Sequence, residues 1–287
     1  MIIAHTRAEV AEARAKLTGP VVLVPTMGAL HDGHRALLRR ARELAGEGGI
    51  TALSIFVNPL QFGPSEDLGR YPRTLTDDLA VAEAEGVDLV FAPSVADMYP
   101  RAQVVMVDPG PLGDFLEGTH RPGHFTGVLT VVLKLFTLVR PDIGVFGQKD
   151  AQQLALIRRM AEDFALGIEI EGVPTVREAG GLALSSRNKF LSSAERPVAT
   201  ALSRALFAGA AAAPKGPGAV LAEARQVLEA AGDALDVDYV ELADWENARG
   251  VRDNDGFAGT ATLAIAARVG TTRLIDNVAV RFDAAHD

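Results

Sequence analysis

Short apolar runs alternate with amphipathic stretches through the first two-thirds of this 287-residue chain, and that alternation restricts the fold more than any other feature. The apolar runs are Val21–Val24, Ala52–Val57, Leu89–Ala92, Val104–Val107, Ile143–Phe146 and Ile168–Val173, each a strand candidate. Arg35–Leu44, Thr76–Glu85, Gly127–Val139 and Gln152–Phe164 carry helical patterns between most of them. Such alternation predicts parallel strands joined by crossover helices, an α/β chain with a doubly wound parallel sheet. Arg140-Pro141 ends the third helix, because proline disfavours helix at the residue before it.

The pattern changes near Ser185. Ser192-Ser193-Ala194-Glu195 has the spacing of a capping box at a helix start. Ala211 to Gly218 reads as a loop by composition, and a helix follows at about Ala219–Ala230. Three strand-like runs come next, Asp238–Leu242, Ala261–Ala267 and Arg273–Val280, the last two separated by a hairpin-type turn at Gly270-Thr271-Thr272. This predicts a smaller α+β C-terminal domain, with residues 1–186 forming the first domain and 187–287 the second.

Composition removes several function classes. The chain has no cysteine, which excludes disulfides, thiolate metal sites and cysteine nucleophiles. Its net charge is −9 and it has no long basic stretch, which argues against a nucleic-acid surface. The longest apolar stretch, Val128–Val139, is broken by Lys134 and falls short of the roughly 20 residues that span a bilayer. The first residues show no signal-peptide core. The expectation is a cytoplasmic protein with no membrane partner and no nucleic-acid partner.

The chemistry concentrates after the first apolar run, in Pro25-Thr26-Met27-Gly28-Ala29-Leu30-His31-Asp32-Gly33-His34. A turn between a buried strand and a helix favours anions through free backbone N–H groups and the helix dipole. Two imidazoles three residues apart add donors for charge growing on a phosphate. The plainer alternative is a helix start capped by Asp32 with solvated histidines. A second strand-to-helix junction, Gly147-Gln148-Lys149-Asp150, offers a lysine to phosphate oxygens and Asp150 as a helix cap. Leu184-Ser185-Ser186-Arg187-Asn188-Lys189 gathers hydroxyls and cations as a phosphate clamp or an ordinary polar linker. Gln61, in Asn58-Pro59-Leu60-Gln61-Phe62, and Gln153 are either neutral amides that suit a carboxylate or hydroxyl substrate which must stay nucleophilic, or ordinary surface side chains. The loop Glu117–Phe125 is either a lid with a phosphate contact through Arg121 or a structural loop. His120 and His124 have no third metal ligand nearby, and Asp77-Asp78 reads as acidic complement to a helix dipole rather than a metal site.

Six segments in order resemble the pantothenate synthetase (pantoate–β-alanine ligase) family. They are P-T-M-G-A-L-H-D-G-H at 25–34, F-V-N-P-L-Q-F at 56–62, Y-P-R-T at 71–74, R-P-G-H-F at 121–125, G-Q-K-D at 147–150 and L-S-S-R-N at 184–188. The resemblance spans essentially the whole chain. It implies a Rossmann-like first domain, a smaller second domain closing on ATP, and a cytoplasmic homodimer. It also implies that ATP and pantoate give pantoyl adenylate and pyrophosphate, after which β-alanine displaces AMP. Carried over by position, Met27, Gly28, Ala29, Leu30, His31, Asp32, Gly33, His34, Gly147, Gln148, Lys149, Asp150, Val176, Leu184, Ser185, Ser186 and Arg187 contact ATP. His34 is then the catalytic histidine, with His31, Lys149, Ser185, Ser186 and Arg187 assisting. Gln61 contacts pantoate and β-alanine, and Gln153 contacts pantoate. Mg²⁺ accompanies ATP, held largely by phosphates and water rather than by a protein metal site. Two positions depart from the family, which often has methionine at Leu184 and glutamate at Gln148.

Three rivals remain at this level. Another H-x-G-H nucleotidyltransferase would need a cationic acceptor pocket, where Gln61 and Gln153 are neutral. A tRNA synthetase is disfavoured by the acidic charge and the lack of length for an anticodon-binding domain. A silent nucleotide-binding scaffold could have lost the histidines or Lys149, which are present here.

Overall fold

The computed structural model describes residues 1–63 and 68–283. Residues 284–287 of the expected second domain lie outside the described residues. The chain divides into two compact units, Met1–Gln148 with Gln152–Pro174, and Lys149–Ala151 with Thr175–Asp287. Residues 175–186, expected with the first domain, thus fall in the second unit.

The first unit is a parallel sheet of six strands: β1 (Ile2–Ala4), β2 (Val21–Thr26), β3 (Ile50–Ile55), β4 (Leu89–Phe91), β5 (Ile143–Gly147) and β6 (Glu169–Val173). Their spatial order is β1-β4-β3-β2-β5-β6, and every pairing is parallel. The winding direction reverses between β2 and β5, the position where doubly wound sheets bind ligands at strand carboxyl ends. Val21 to Val24 of β2 are fully buried, which explains their unbroken apolar run. The helix Asp32–Ala45 turns Leu38, Ala41 and Ala45 into a cluster with Val22, Val24, Leu53 and Val90. Burial of a side chain such as Leu38 contributes about 1.5–3 kcal/mol, so this seam firmly anchors the helix whose first turn carries the histidines.

Two strand expectations need correction. Val104–Val107 forms no strand, and Val104 and Val105 are 90% and 79% exposed. β-Branched residues fit a pleated surface only when a neighbouring strand receives them. Here the Val107 N–H donates to the Thr130 hydroxyl at 3.0 Å. Conversely, Ile2–Ala4 is a short edge strand paired with β4, too brief to show a pattern.

The second unit holds an antiparallel sheet of β7 (Leu235–Asp244), β8 (Arg249–Gly250), β9 (Gly259–Val269) and β10 (Thr272–Phe282), in the order β10-β9-β7-β8. Gly270, at φ +56, makes the tight turn between β9 and β10. Helices Ala201–Ala211 and Pro217–Glu229 share one core with the sheet, including Leu202, Leu206, Leu221, Leu242, Leu263 and Ile265. The capping box is present: Ser192 N–H donates to Glu195 Oε2 at 2.8 Å, and Glu195 N–H to Ser192 Oγ at 3.2 Å. The expected 211–218 loop is mostly ordered into a 3₁₀ turn, Ala213–Lys215, and the start of the next helix at Pro217. Proline fits that first helical position because its missing N–H has no intrahelical partner there.

Candidate active site

The turn after β2 converts the H-x-G-H spacing into a reciprocal cap. His31 is the N-cap of the Asp32–Ala45 helix, and its Nδ1 accepts the Gly33 N–H at 3.1 Å. The His31 N–H in turn donates to His34 Nδ1 at 3.2 Å. Asp32, the alternative cap, is the first helical residue and is exposed. A nitrogen that accepts an N–H carries no proton, so each neutral imidazole is held with its proton on Nε2. The rings lie 4.1 Å apart, centroid to centroid. Burial, with a smaller contribution from neighbouring His31, pushes the His34 pKa down to about 3. At neutral pH, His34 is therefore an uncharged Nε2–H donor.

The backbone of this turn is already satisfied from within. Gly28 and Ala29 have φ of +83 and +52, and the Ala29 and Leu30 N–H groups point to the Asp78 carboxylate at 3.1 and 2.8 Å. The Gly28 N–H donates to Thr26 Oγ1 at 3.3 Å. The expected cradle of free backbone N–H groups is thus largely occupied, and the ring Nε2–H groups become the principal donors of the turn. Asp78 sits on the helix Leu75–Ala84 and is 2% exposed, so its role goes beyond complementing a dipole.

Gln61 is buried beside the same turn. Its Nε2 donates to Met27 Sδ at 3.3 Å, and its Oε1 accepts from Asn58 Nδ2 at 3.1 Å. Asn58 cannot flip without breaking its other bonds. Its Nδ2 also reaches the Gly127 carbonyl at 3.1 Å, while its Oδ1 accepts the Tyr99 hydroxyl at 2.9 Å. Burial pushes the Tyr99 pKa up, so this hydroxyl stays a donor. His124 Nε2 lies 2.9 Å from Arg121 Nη1, and its Nδ1 lies 2.8 Å from the Gln61 carbonyl. Arginine only donates, so His124 accepts there through Nε2 and donates to Gln61 through Nδ1. Gln153 is half-buried on the first turn of the helix Ala151–Asp163. Its neighbour Gln152 is fully engaged, bonding the Glu117 N–H and the carbonyls of Leu112 and Phe115.

Gly147 ends β5, and Gln148–Asp150 forms a 3₁₀ turn. Gln148 Nε2 donates to the Gly172 carbonyl at 3.1 Å, a bond that a carboxylate at this position would not make. In the second unit the Lys149 carbonyl accepts the Asn277 side chain at 2.7 Å. Beside Asn277, Asp276 pairs with Arg177 through two bonds of 2.6 and 3.0 Å. Arg177 follows Val176, whose carbonyl accepts the Leu184 N–H at 2.9 Å. Lys149, Val176 and Leu184 are therefore linked through a few hydrogen bonds to β10. Ser185 caps the Ser186–Phe190 turn by accepting the Arg187 N–H at 3.3 Å, and Asn188 is buried behind it on Glu178 and the Ala183 carbonyl. Among the described residues, no group of three or more His, Asp or Glu side chains is placed to hold a metal ion.

Asp78, Asn58, His124, Gln152 and Asn277 were not identified from sequence as parts of this arrangement. Asn58 lies inside the 56–62 segment, and Asp78 inside an acid pair that the helix dipole already accounts for.

A family model described as pantoate–β-alanine ligase matches residues 2–279. A pantothenate synthetase from Thermobifida fusca is 56% identical over 286 residues, covering 96% of this chain and 95% of its own. The solved pantothenate synthetase of Thermus thermophilus has a TM-score of 0.89 at 45% identity, covering 97% of this chain and 99% of that one. A pantoate–β-alanine ligase from Francisella tularensis, solved with β-γ ATP and β-alanine, has a TM-score of 0.79 at 32% identity and covers 97% of each chain. With its fold and six ordered motifs, this chain belongs to the pantoate–β-alanine ligase family.

Proposed function

We propose that this ligase adenylates pantoate at its H-x-G-H turn and then transfers the pantoyl group to β-alanine. A pantoate carboxylate oxygen attacks the α-phosphorus of ATP, the bond to the β-phosphate breaks, and pyrophosphate leaves. The β-alanine amine then attacks the acyl carbon. The acyl–oxygen bond breaks with its electron pair on AMP, the nitrogen gives up a proton, and pantothenate is formed. No protein nucleophile is needed, so catalysis consists of positioning and charge stabilisation.

One observation carries this reading: His31 and His34 are each pinned by a backbone N–H into the Nε2–H form. Fixed donors of this kind stabilise charge growing on phosphate oxygens without rearranging during the reaction. In this reading Met27 through His34, Gly147 through Asp150, Val176 and Leu184 through Arg187 contact ATP. Lys149 acts as a point charge on phosphate, while Ser185, Ser186 and Arg187 clamp it. Gln61 and Gln153 hold pantoate, and Gln61 also meets β-alanine. The fixed amide of Gln61 supports this role, since a neutral donor orients a carboxylate without quenching it. Mg²⁺ would be held by the triphosphate and water, where it neutralises charge on the leaving pyrophosphate.

Pantoate-dependent exchange of labelled pyrophosphate into ATP tests the reading. Exchange is expected with pantoate and Mg²⁺ before any β-alanine is added. Exchange with another acid but not with pantoate would overturn the substrate assignment.

A homodimer is the proposed assembly, supported by the exposed Val104 and Val105. Sedimentation velocity at micromolar concentration should give a species of twice the chain mass, and a persistent monomer counts against it. Consumption of ATP supports a cytoplasmic setting, which cell fractionation checks. Among the described residues, no helix is long and apolar enough to cross a membrane.

A further inference from the structure

We propose that Asp78 is a positioning residue for adenylation, its carboxylate holding in place the turn that presents His31 and His34. This rests on the reading of the two imidazoles as donors to ATP. Two consecutive left-handed residues, Gly28 and Ala29, turn the N–H groups of Ala29 and Leu30 to one side. Successive N–H groups arranged this way form a concavity for an anion. The anion here is the protein's own: Asp78 Oδ2 takes the Ala29 N–H at 3.1 Å, and Oδ1 takes the Leu30 N–H at 2.8 Å. Thr74 Oγ1 adds a third donor, 3.3 Å from Oδ2.

The arrangement has little slack. Asp78 is 2% exposed and stands in the first turn of a helix, so its carboxylate has a fixed origin. A Cβ added at Gly28 would lie 2.9 Å from Asp78 Oδ2 and 3.2 Å from Ile55 Cγ2. Ala29 carries a side chain in a region that L-residues rarely occupy, a conformation that persists only where its surroundings impose it. Two residues beyond Ala29 is His31, whose own N–H fixes the His34 ring. Releasing the carboxylate would relax Ala29 toward ordinary φ and move the N-cap, and both imidazoles with it. The same carboxylate occupies the two N–H groups that phosphate would otherwise find, leaving the ring Nε2–H groups as donors.

Asp78→Asn keeps the volume but offers one acceptor oxygen and turns an NH₂ toward the other N–H. In the full-length chain, this variant should lower kcat for pantoate-dependent pyrophosphate exchange by roughly 10–100-fold, the scale of an ångström of misplacement. KM for pantoate should stay near the parent value. Histidine ring ¹⁵N spectra, recorded without substrates, should lose the fixed Nε2–H pattern of His34. Parent-like kcat with an unchanged ring pattern overturns the proposal. So does a loss of kcat that raised Mg²⁺ restores, because that would make Asp78 a metal ligand instead.

If Asp78→Asn fails to fold, Thr74→Val removes one donor to the carboxylate and should give a smaller change of the same sign. Parent-like kcat and ring spectra for Thr74→Val would then overturn the proposal. The ring spectra report on positioning without any turnover. The substrate dependence of exchange in the parent enzyme reports on the functional reading, so the two can fail separately.

Discussion

Replacing His34 with alanine slows pantoate adenylation by roughly 10²–10³-fold, the effect of deleting one preorganised donor to a charged transition state. The effect falls on kcat more than on KM for ATP, because the Nε2–H bond strengthens as charge develops on phosphate. Alanine also removes the acceptor for the His31 N–H, at a cost of about 1 kcal/mol at the helix start. His34→Asn separates the two contributions. Its amide oxygen stands near the position of Nδ1 and preserves the cap, while nothing replaces Nε2–H. It should match the parent in thermal stability and the alanine variant in rate. Pyrophosphate exchange together with thermal melting measures both, and a near-parental rate for either variant removes His34 from the mechanism.

The depressed pKa of His34 adds a pH signature. Its folded value of about 3 lies below its ordinary value near 6.5, so the unfolded chain takes up the proton first as pH falls. The stabilising contribution is complete above pH 6.5 and is lost progressively as the pH drops toward 3. His34→Ala should therefore lose less stability than the parent between neutral pH and about 4.5, a window inside that linkage range. The parent's rate profile from mildly acidic to mildly alkaline pH should contain no limb belonging to His34. Protonation would turn Nδ1 from an acceptor into a donor facing the His31 N–H, which is why burial and the cap act in the same direction.

Gly127→Ala is expected to be nearly as damaging, although residue 127 carries no chemistry. A Cβ there would overlap the Leu60 carbonyl and stand 2.6 Å from the Gln61 nitrogen. The first turn of the helix His124–Val139 lies directly on the Pro59–Gln61 turn, and Asn58 ties the two together through the Gly127 carbonyl. The clash is with backbone rather than with a side chain that can rotate, which places the cost near the upper end for overpacking, about 3 kcal/mol. For a unit of this size the melting temperature should fall by roughly 6–12 °C. The Gln61 amide moves with its turn, so KM for pantoate should rise while KM for ATP changes less. Unchanged melting and unchanged KM for pantoate would show that the turn accommodates a methyl group.

The strands at the centre of the first unit were legible because burial on both faces leaves an unbroken apolar run, as at Val21–Val24. The edges were not. Ile2–Ala4 is a three-residue strand with two exposed isoleucines, and Val104–Val107 has strand-forming residues with no strand beside them. The H-x-G-H turn was legible as a site because imidazole chemistry and its position after a strand coincide within a short stretch of chain. What holds that turn was hidden by distance along the chain. Asp78 reaches Ala29 and Leu30 only through the packing of its helix, and in sequence an acid in a first helical turn already has a sufficient explanation. Gln152 carries no signal in the sequence, because its three bonds depend on where the 112–117 backbone runs.

The backbone passes between the two compact units three times, after residues 148, 151 and 174. The second unit is therefore not one continuous piece of gene. A fragment cut at 174/175 would leave Lys149 behind with the other half, although Asn277 holds its carbonyl from β10. A chimaera joined there from two relatives would inherit the lysine from one parent and its anchor from the other. A hybrid that takes 149–151 together with the C-terminal sheet keeps the second unit from a single parent.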